Sequence, residues 1–527
     1  MAQNGEKQSA APKEGKGLLG GIFGRVAHAP AKNDSQSATR KVSTLDLADI
    51  QGFILRGYRM PMVRHFLLTV NIPAQARKVL GRLVSGSETD APQITTAEDW
   101  HVGFAPGPGD DPTEAPRRKP DYCLNVGITW PGMNALEIRQ LVPNISFKSF
   151  GAFTEGAAAR AKLVGDTGAS SPENWIAAFQ KDEGHVMVTL HAISLDAMKA
   201  YTDRLVALFS EGNGFREIWR QDGMALIEMQ NGQPVPTAKV HFGYTDGISM
   251  TTIRGGPEKY PPDHQQPCEP WLFVLQDEAE NYIVPEPKQL GLNGSFAVFK
   301  MMETDVVGFE NFLQSNRDKI DPELLAAKMC GRWRNGVPLA LSPETDSPTG
   351  LTPEQWNNFE YVNADGSGDP KGLRCPVGAH MRRINPRGQP VTGQGVPGGS
   401  NNTHRLIRRG LPYGPSYDPK QPYDGIARGL LGYFINSNIE NQYEFVLGHW
   451  VNDSEFAGAV RLNPKSKDPM IGTQDPAESI FVMPQPNGVP PIKVTGLSTF
   501  VTTKAAAYCF LPSITAIKFI ANLGVGQ

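Results

Sequence analysis

Several features that mark large classes of protein are absent from this sequence of 527 residues. Its 51 basic side chains are matched by 54 acidic ones, so the net charge of −3 gives no electrostatic reason to expect nucleic acid or an anionic membrane as a partner. No stretch approaches the roughly 18 consecutive apolar residues that cross a bilayer, so no transmembrane segment is predicted. The length instead predicts a large composite domain or more than one domain, because single cores stop growing at about 250–300 residues.

Cysteine is scarce and carries no pairing pattern. The five cysteines lie far apart in the chain, and no two of them form a C-x-x-C pair. A structural zinc site or a disulfide framework is therefore disfavoured, and a reducing, cytoplasmic compartment is the simplest prediction.

The first 44 residues are rich in Ala, Lys, Ser, Gln and Gly, which predicts a disordered N-terminal tail. Within them "GLLGGIFGRVAHA" has some likeness to a signal peptide. Glycines and Arg25 interrupt its apolar part, however, and Glu6 and Glu14 dilute the positive charge before it. We therefore prefer a flexible tail and keep secretion as the disfavoured alternative.

Hydrophobic periodicity predicts an α+β protein built from two halves of similar design, residues 45–255 and 271–527, with a Pro-rich linker at 255–270. Two strand–helix units in the first half suggest a ferredoxin-like βαββαβ layer, and the rhythm restarts in the second half. The expected strands are 64–72, 122–130, 184–193, 294–302 and 431–438; the expected helices are 74–84, 195–209 and 304–316, the last with Thr304 as N-cap, and further strand or helix is expected in 439–452 and 505–523.

A single carboxylate stands out in "HFGYTDGISM" (241–250), where Asp246 lies among aromatic, apolar and hydroxyl residues. Asp-Gly is a strong turn signal, because Gly tolerates positive φ and Asp bonds to its own backbone. Taken alone, the segment is more typical of a turn than of a catalytic site.

A single histidine, His380, lies in "CPVGAHMRRINPRG" (375–388), between two long polar inserts at 343–372 and 386–404. No His or Cys stands at metal-ligand spacing from it, so by itself it is more typical of a core or surface residue. The arginines that follow could bind carboxylates in a bidentate manner.

A third segment, "HRLIRRGLPYGPSYDP" (404–419), has three arginines in five residues, which is most often a solvated basic face. Ile407 and Leu411 flank the pair Arg408 and Arg409, so one arginine could point inward. A buried arginine requires an anionic partner or a substrate that develops negative charge.

Taken together, these segments resemble the dye-decolourising peroxidase family, in its long-chain type with fungal and cyanobacterial members. The signals are "GYTDG" (243–247), "CPVGAHMRRINPR" (375–387) and "HRLIRRGLPYG" (404–414), in the family's order. Supporting matches such as "DIQGFILRGY" (49–58) extend the resemblance from about residue 45 to the C-terminus.

The resemblance implies a b-type haem held non-covalently between two ferredoxin-like halves. His380 then corresponds to the proximal iron ligand and Asp468 to the acid that accepts its N–H, although 468–475 contains two aspartates. Asp246 and Arg408 correspond to the distal acid–base and the distal arginine. The cofactor-binding set is completed by Gly243 and Gly247, which would let the backbone approach the macrocycle, and by Arg383.

The implied reaction reduces hydrogen peroxide while oxidising dyes, phenols or other organic donors. Splitting the O–O bond requires a proton to move from one peroxide oxygen to the other, which a carboxylate can do if a neighbouring cation keeps it ionised. Arg408 would supply that charge and stabilise the departing oxygen. Some family members have Asn where this chain has Gly410, which predicts a wetter distal pocket that relies more on Asp246.

Bulky donors would transfer electrons through surface aromatics, but the candidates Trp450, Tyr433 and Tyr417 are each more typical of core residues. Two alternatives remain at this stage. A haem carrier, sensor or iron-release protein would need the same His380, and a non-haem structural or interaction protein would need none of these roles. A homo-oligomer is left open.

Overall fold

The computed structural model describes residues 44–98, 119–147, 150–258, 267–277, 284–391, 401–418, 421–454, 456 and 466–524. The tail predicted for 1–44 lies outside the described residues except for Thr44, as does the middle of the predicted linker, 259–266. Within the described ranges, no helix is long and apolar enough to cross a membrane.

One antiparallel sheet of eight strands organises the fold. In chain order the described strands are β1 (Met62–Val70), β2 (Tyr122–Thr129), β3 (Val186–Ala192), β4 (Phe215–Met224), β5 (Ile227–Gln230), β6 (Gln233–Pro236), β7 (Ser295–Thr304), β8 (Ile407–Tyr413), β9 (Gly429–Asn436), β10 (Ile480–Met483), β11 (Ile492–Thr495) and β12 (Val501–Leu511). The order across the large sheet is β4-β1-β3-β2-β12-β7-β9-β8, while β5 pairs with β6 and β10 pairs with β11 in separate hairpins.

The described helices connect these strands. They are α1 (Gly52–Leu55), α2 (Pro73–Arg82), α3 (Trp130–Ala135), α4 (Ile138–Leu141), α5 (Gly151–Glu155), α6 (Leu195–Ser210), α7 (Lys288–Gly291), α8 (Val306–Ser315), α9 (Pro322–Cys330), α10 (His380–Ile384) and α11 (Ile514–Ala521). Two π-helical segments, Glu440–Glu444 and Val446–Val451, lie between β9 and β10.

Each half of the sheet has the ferredoxin-like order. Across the sheet the first half runs β4-β1-β3-β2. Along the chain α2 lies between β1 and β2, and α6 lies between β3 and β4. The second half repeats the 4-1-3-2 order as β12-β7-β9-β8, with α8 and α9 after its first strand. The halves join where Thr129 and Ile128 of β2 pair with Cys509 and Phe510 of β12. The predicted α+β architecture of two ferredoxin-like halves is therefore confirmed.

The main core covers both faces of the sheet. Every residue of β2 is buried, as its central position requires, and the periodic apolar residues Met198, Leu205 and Leu208 of α6 pack inward. A second cluster lies between α8, α9 and the β10–β11 hairpin, and it includes Phe242 and Tyr244. This cluster places the segment around Asp246 against α8 and α9 of the second half.

The prediction that Thr304 caps a helix is wrong by one residue. Strand β7 continues through Thr304, and the helix begins at Val306 with Asp305 as its N-cap, whose carboxylate accepts the Gly308 N–H at 2.7 Å. Both residues are good N-caps, and the strand pairing decides between them. Strands β4 and β8 were not among the expected strands, whereas 505–523 contains the end of β12 and α11, in agreement with the strand or helix expected there.

Candidate functional site

Asp246 ends a short hairpin, residues 238–246. The Val240 N–H bonds to the Tyr244 carbonyl at 3.0 Å, and the Asp246 N–H bonds to the Ala238 carbonyl at 2.8 Å. The bend falls at Gly243, whose φ of +82° favours glycine, and Gly247 follows with a φ of +79°. The hairpin therefore bends at Gly243 and not at the Asp246-Gly247 step where the sequence predicted a turn, and it presents the carboxylate at its end.

The structure brings Asp246 to Arg408. The Arg408 Nη2 donates to Asp246 Oδ1 at 3.0 Å, and the Gly247 N–H donates to the same oxygen at 2.7 Å. Desolvation by the surrounding protein works to raise the pKa of Asp246, but the charge of Arg408, the Gly247 N–H and the more distant His380 outweigh it and lower that pKa. The Asp246 side chain is 39% exposed, so this ionised carboxylate is not sealed in the core.

Strand geometry separates Arg408 from Arg409. Neighbouring residues of a strand point to opposite faces, so only one of the pair can reach Asp246. Arg409 lies on the other face, where its Nε donates to the Phe53 carbonyl at 2.7 Å and burial lowers its pKa. The sequence left open which arginine points inward. In the structure Arg408 contacts Asp246, and Arg409 contacts the Phe53 carbonyl on the opposite face of the strand.

His380 begins helix α10 and is held by a buried acid. Its Nδ1 lies 2.9 Å from Asp468 Oδ2, while Asp468 Oδ1 accepts the N–H groups of Met470 and Ile471 at 2.8 and 3.0 Å. Burial works to raise the pKa of Asp468, but His380 and these N–H groups lower it. The other acid of 468–475, Asp475, is exposed and bonds to Ala477 instead, so the contact belongs to Asp468.

The donor set at His380 fits the iron of a haem. An ionised Asp468 fixes the proton on Nδ1 of His380, which leaves Nε2 as the basic nitrogen, and Nε2 has no hydrogen-bond partner within the described part of the chain. A metal-binding imidazole is held in this way in many proteins. The charge of His380 also helps to lower the pKa of Asp246, so the two side chains lie within electrostatic range of each other.

Arg383 does not occupy the position expected of it. Its side chain is fully buried, and it donates to the carbonyls of Gly378, Trp450, Asp453 and Ser466 at 2.6–3.1 Å. Every guanidinium nitrogen is thus bonded to backbone. The expectation that Arg383 binds the cofactor is therefore corrected: it fastens the loop before His380 to the segments that follow β9.

Gly243 also has a different explanation from the one expected. A Cβ placed on it would lie 3.1 Å from Arg334 Nη1, so the glycine makes room for an arginine. At Gly247 a Cβ would meet no described atom within 4 Å, and its positive φ is the local constraint. Sequence reasoning missed Arg334, which lies in "GRWRNG" without any motif to single it out.

Three further sequence expectations can be placed. Trp450 and Tyr433 are almost fully buried, as the core interpretation predicted, and Tyr417 is partly buried with its hydroxyl on the Gln421 carbonyl.

A Cβ on Gly410 would lie 2.9 Å from the Leu431 carbonyl oxygen of the neighbouring strand. The close strand approach therefore explains Gly410 without reference to the wetness of the pocket.

Comparison with known proteins gives consistent likenesses. No family model matches the sequence. The chain is 27% identical to Peroxidase 2 of Mycetinis scorodonius over 508 residues, which cover 93% of this chain and 90% of that protein. It is 26% identical to a multifunctional dye peroxidase of Amycolatopsis over 506 residues, which cover 92% of this chain and 97% of that protein.

Solved structures agree with the sequence comparison. A dye-decolorizing peroxidase in complex with 2,6-dimethoxyphenol superposes with a TM-score of 0.69 at 26% identity, covering 90% of this chain and all of that one. An ancestral D-type dye decolorizing peroxidase superposes with a TM-score of 0.70 at 26% identity, covering 90% of this chain and 99% of that one. The likeness therefore spans nearly the full length of both partners in each case.

Proposed function

The chain belongs to the dye-decolourising peroxidase family, and from this we propose that it reduces hydrogen peroxide with a b-type haem while oxidising dyes, phenols or other organic donors. The observation that carries the proposal is the pair Asp246 and Arg408, an ionised carboxylate and a guanidinium 3.0 Å apart and within electrostatic range of His380. A haem carrier or sensor would need His380 but would have no task for that pair, so it is not favoured.

In the proposed site His380 would hold the haem iron through Nε2, and Asp468 would fix the ring and make it more electron-donating. Bound haem supplies the redox-active iron at which peroxide is reduced. The buried Asp468 remains ionised because two backbone N–H groups and His380 offset its desolvation. The proximal side thus holds one imidazole in one tautomer and one orientation.

On the distal side Asp246 moves the proton. Its lowered pKa keeps it ionised at neutral pH, so it accepts a proton from one peroxide oxygen and returns it to the departing oxygen. Arg408 stabilises the negative charge that develops on that oxygen as the O–O bond breaks. Overall, peroxide takes up two electrons and two protons to form two molecules of water, and each of two donor molecules gives up one electron.

Two variants test this assignment. Asp246→Asn and Arg408→Leu should each retain haem, because neither contacts His380, yet lose peroxidase activity with a phenol or an anthraquinone dye by a factor of about 10²–10⁴. His380→Ala should abolish the Soret band. Full activity in both distal variants would refute the mechanism, and a protein that stays colourless after haem supplementation would refute the function.

Three further statements belong to the same proposal. Of the proposed divisions 1–44, 45–255 and 271–527, the last two are supported by the large sheet, to which each contributes four strands. The cytoplasmic location is supported by the five cysteines, which lie buried and free. A homo-oligomer is left open, and analytical ultracentrifugation of the haem-loaded protein would decide it.

A further inference from the structure

The hairpin that carries Asp246 is clamped by one arginine from a distant part of the chain. Arg334 Nη1 donates to the Phe242 carbonyl at the bend, and the backbone carbonyl of Arg334 accepts the Thr245 N–H at 2.8 Å. Arg334 therefore contacts the bend of the hairpin and the residue immediately before Asp246. Gly243 allows this approach because it has no Cβ.

Arg334 is itself held on both sides by carboxylates. Its Nη2 lies 2.8 Å from Glu310 on α8, and its Nε lies 3.0 Å from Glu323 in the first turn of α9. The guanidinium also lies over the rings of Tyr244 and Phe309, at 5.6 and 5.8 Å from their centroids. A hydrogen bond to backbone, ion pairs with two carboxylates and contacts with two rings thus fix the Arg334 side chain, which is only 21% exposed.

Besides the contact of Asp246 with Arg408, Tyr244 and His241 also tie the hairpin to the second half. The Tyr244 hydroxyl donates to the Ala326 carbonyl at 2.8 Å, and His241 Nε2 bonds to the Tyr413 carbonyl at 2.8 Å. Tyr413 ends the strand that begins at Ile407 and carries Arg408. Arg334 adds two contacts: its side chain bonds to Phe242 at the bend, and its backbone carbonyl bonds to Thr245, the residue immediately before Asp246.

Proton transfer between two peroxide oxygens needs a carboxylate at hydrogen-bond distance from both, so a small displacement of Asp246 is costly. We propose that Arg334, with Glu310 and Glu323, is a positioning residue that holds Asp246 in place for the peroxide reaction. This inference rests on the proposed function and assigns no direct contact between Arg334 and the reacting atoms.

The test compares Arg334→Gln with Arg64→Gln in the haem-loaded protein. Arg64 is a matched control, because its side chain is 18% exposed and pairs with Asp222 at 2.6 Å on the sheet of the first half. Arg334→Gln should lower kcat/KM for peroxide by about 10- to 100-fold per bound haem, leave the KM for the donor unchanged and speed amide exchange in 238–247. Arg64→Gln should change none of these.

A double variant separates positioning from general damage. If Arg334 acts through Asp246, adding Arg334→Gln to Asp246→Asn should cause no further loss, whereas a merely structural role would lower the rate again by a similar factor. Arg334→Lys keeps the charge but loses the fork that reaches several acceptors, so it should give a smaller loss with the same dependence on Asp246. It also serves as the second variant if Arg334→Gln does not fold.

The outcomes distinguish the two claims. Wild-type peroxide kinetics and wild-type exchange in Arg334→Gln, or an additive loss in the double variant, would overturn the positioning role and leave the proposed function intact. Wild-type activity in Asp246→Asn alone would overturn the proposed function, and this inference with it.

Discussion

Replacing Arg383 with methionine should destabilise the proximal loop whether or not haem is bound. Arg383 is fully buried and donates to four backbone carbonyls, those of Gly378, Trp450, Asp453 and Ser466. Methionine is unbranched like the aliphatic part of arginine but is shorter and cannot donate, so these four acceptors would lose their partner. The loop concerned leads directly into His380.

The size of the effect follows from those contacts. A buried acceptor left without a partner costs about 1–3 kcal/mol, so four of them would cost at least about 4 kcal/mol if none recruited water. Burial also lowers the pKa of Arg383 to about 10, which shows that the charge is itself costly to bury and that its removal offsets part of the loss. We therefore expect a net loss of about 3 kcal/mol in the free energy of unfolding.

Urea unfolding with haem bound, and again after haem removal, is the assay. Because Arg383 bonds to backbone, the midpoint should fall in both states, and Arg383→Lys should fall less because an ammonium still donates. If Arg383→Met left the haem-free protein as stable as the wild type and weakened only haem binding, the side chain would instead recognise the cofactor, and the structural correction would be refuted.

Three further predictions concern caps, acid sensitivity and strand approach. Asp305→Ala should lower the free energy of unfolding by about 1 kcal/mol through loss of the α8 cap, and Thr304→Ala by less; equal losses in thermal melts would contradict the cap assignment. The pKa of Asp468 is lowered from its ordinary value of 3.8, so the ionised Asp468 stabilises the folded state fully above pH 3.8, and this stabilisation is lost as the pH falls through the folded-state pKa. Asp468→Asn should therefore flatten the acid limb of the curve of unfolding free energy against pH. An unchanged acid limb would refute this. Gly410→Asn should lower the thermal midpoint, because its Cβ would lie 2.9 Å from the Leu431 oxygen, and an unchanged midpoint would show that the strands can separate at little cost.

Residue patterns predicted much of the fold because strong periodicity marks its longest elements. The strand expected at 184–193 forms at Val186–Ala192, and the helix expected at 195–209 forms at Leu195–Ser210. Strand β8 was not predicted, because its arginines resemble a solvated face and its burial depends on pairing with β9. Its pairing is a tertiary property that local composition does not report.

The sequence also predicted only part of the candidate site. The contact of Asp246 with Arg408 agrees with what the ordered motifs imply, and so does that of His380 with Asp468. The orientation of Arg383 could not be predicted, because α10 has five residues and offers no periodicity. The reason for Gly243 lies in Arg334, and only the folded chain brings these two residues together.

The central claim is that Asp246 moves the proton that allows the O–O bond to break. Mixing the haem-loaded protein with one equivalent of peroxide and following the visible spectrum tests it most directly. We predict that the Soret band of the wild type changes rapidly and that Asp246→Asn shows the same change about 10²–10⁴ times more slowly with its haem still bound. Equal rates in the two proteins would contradict the account.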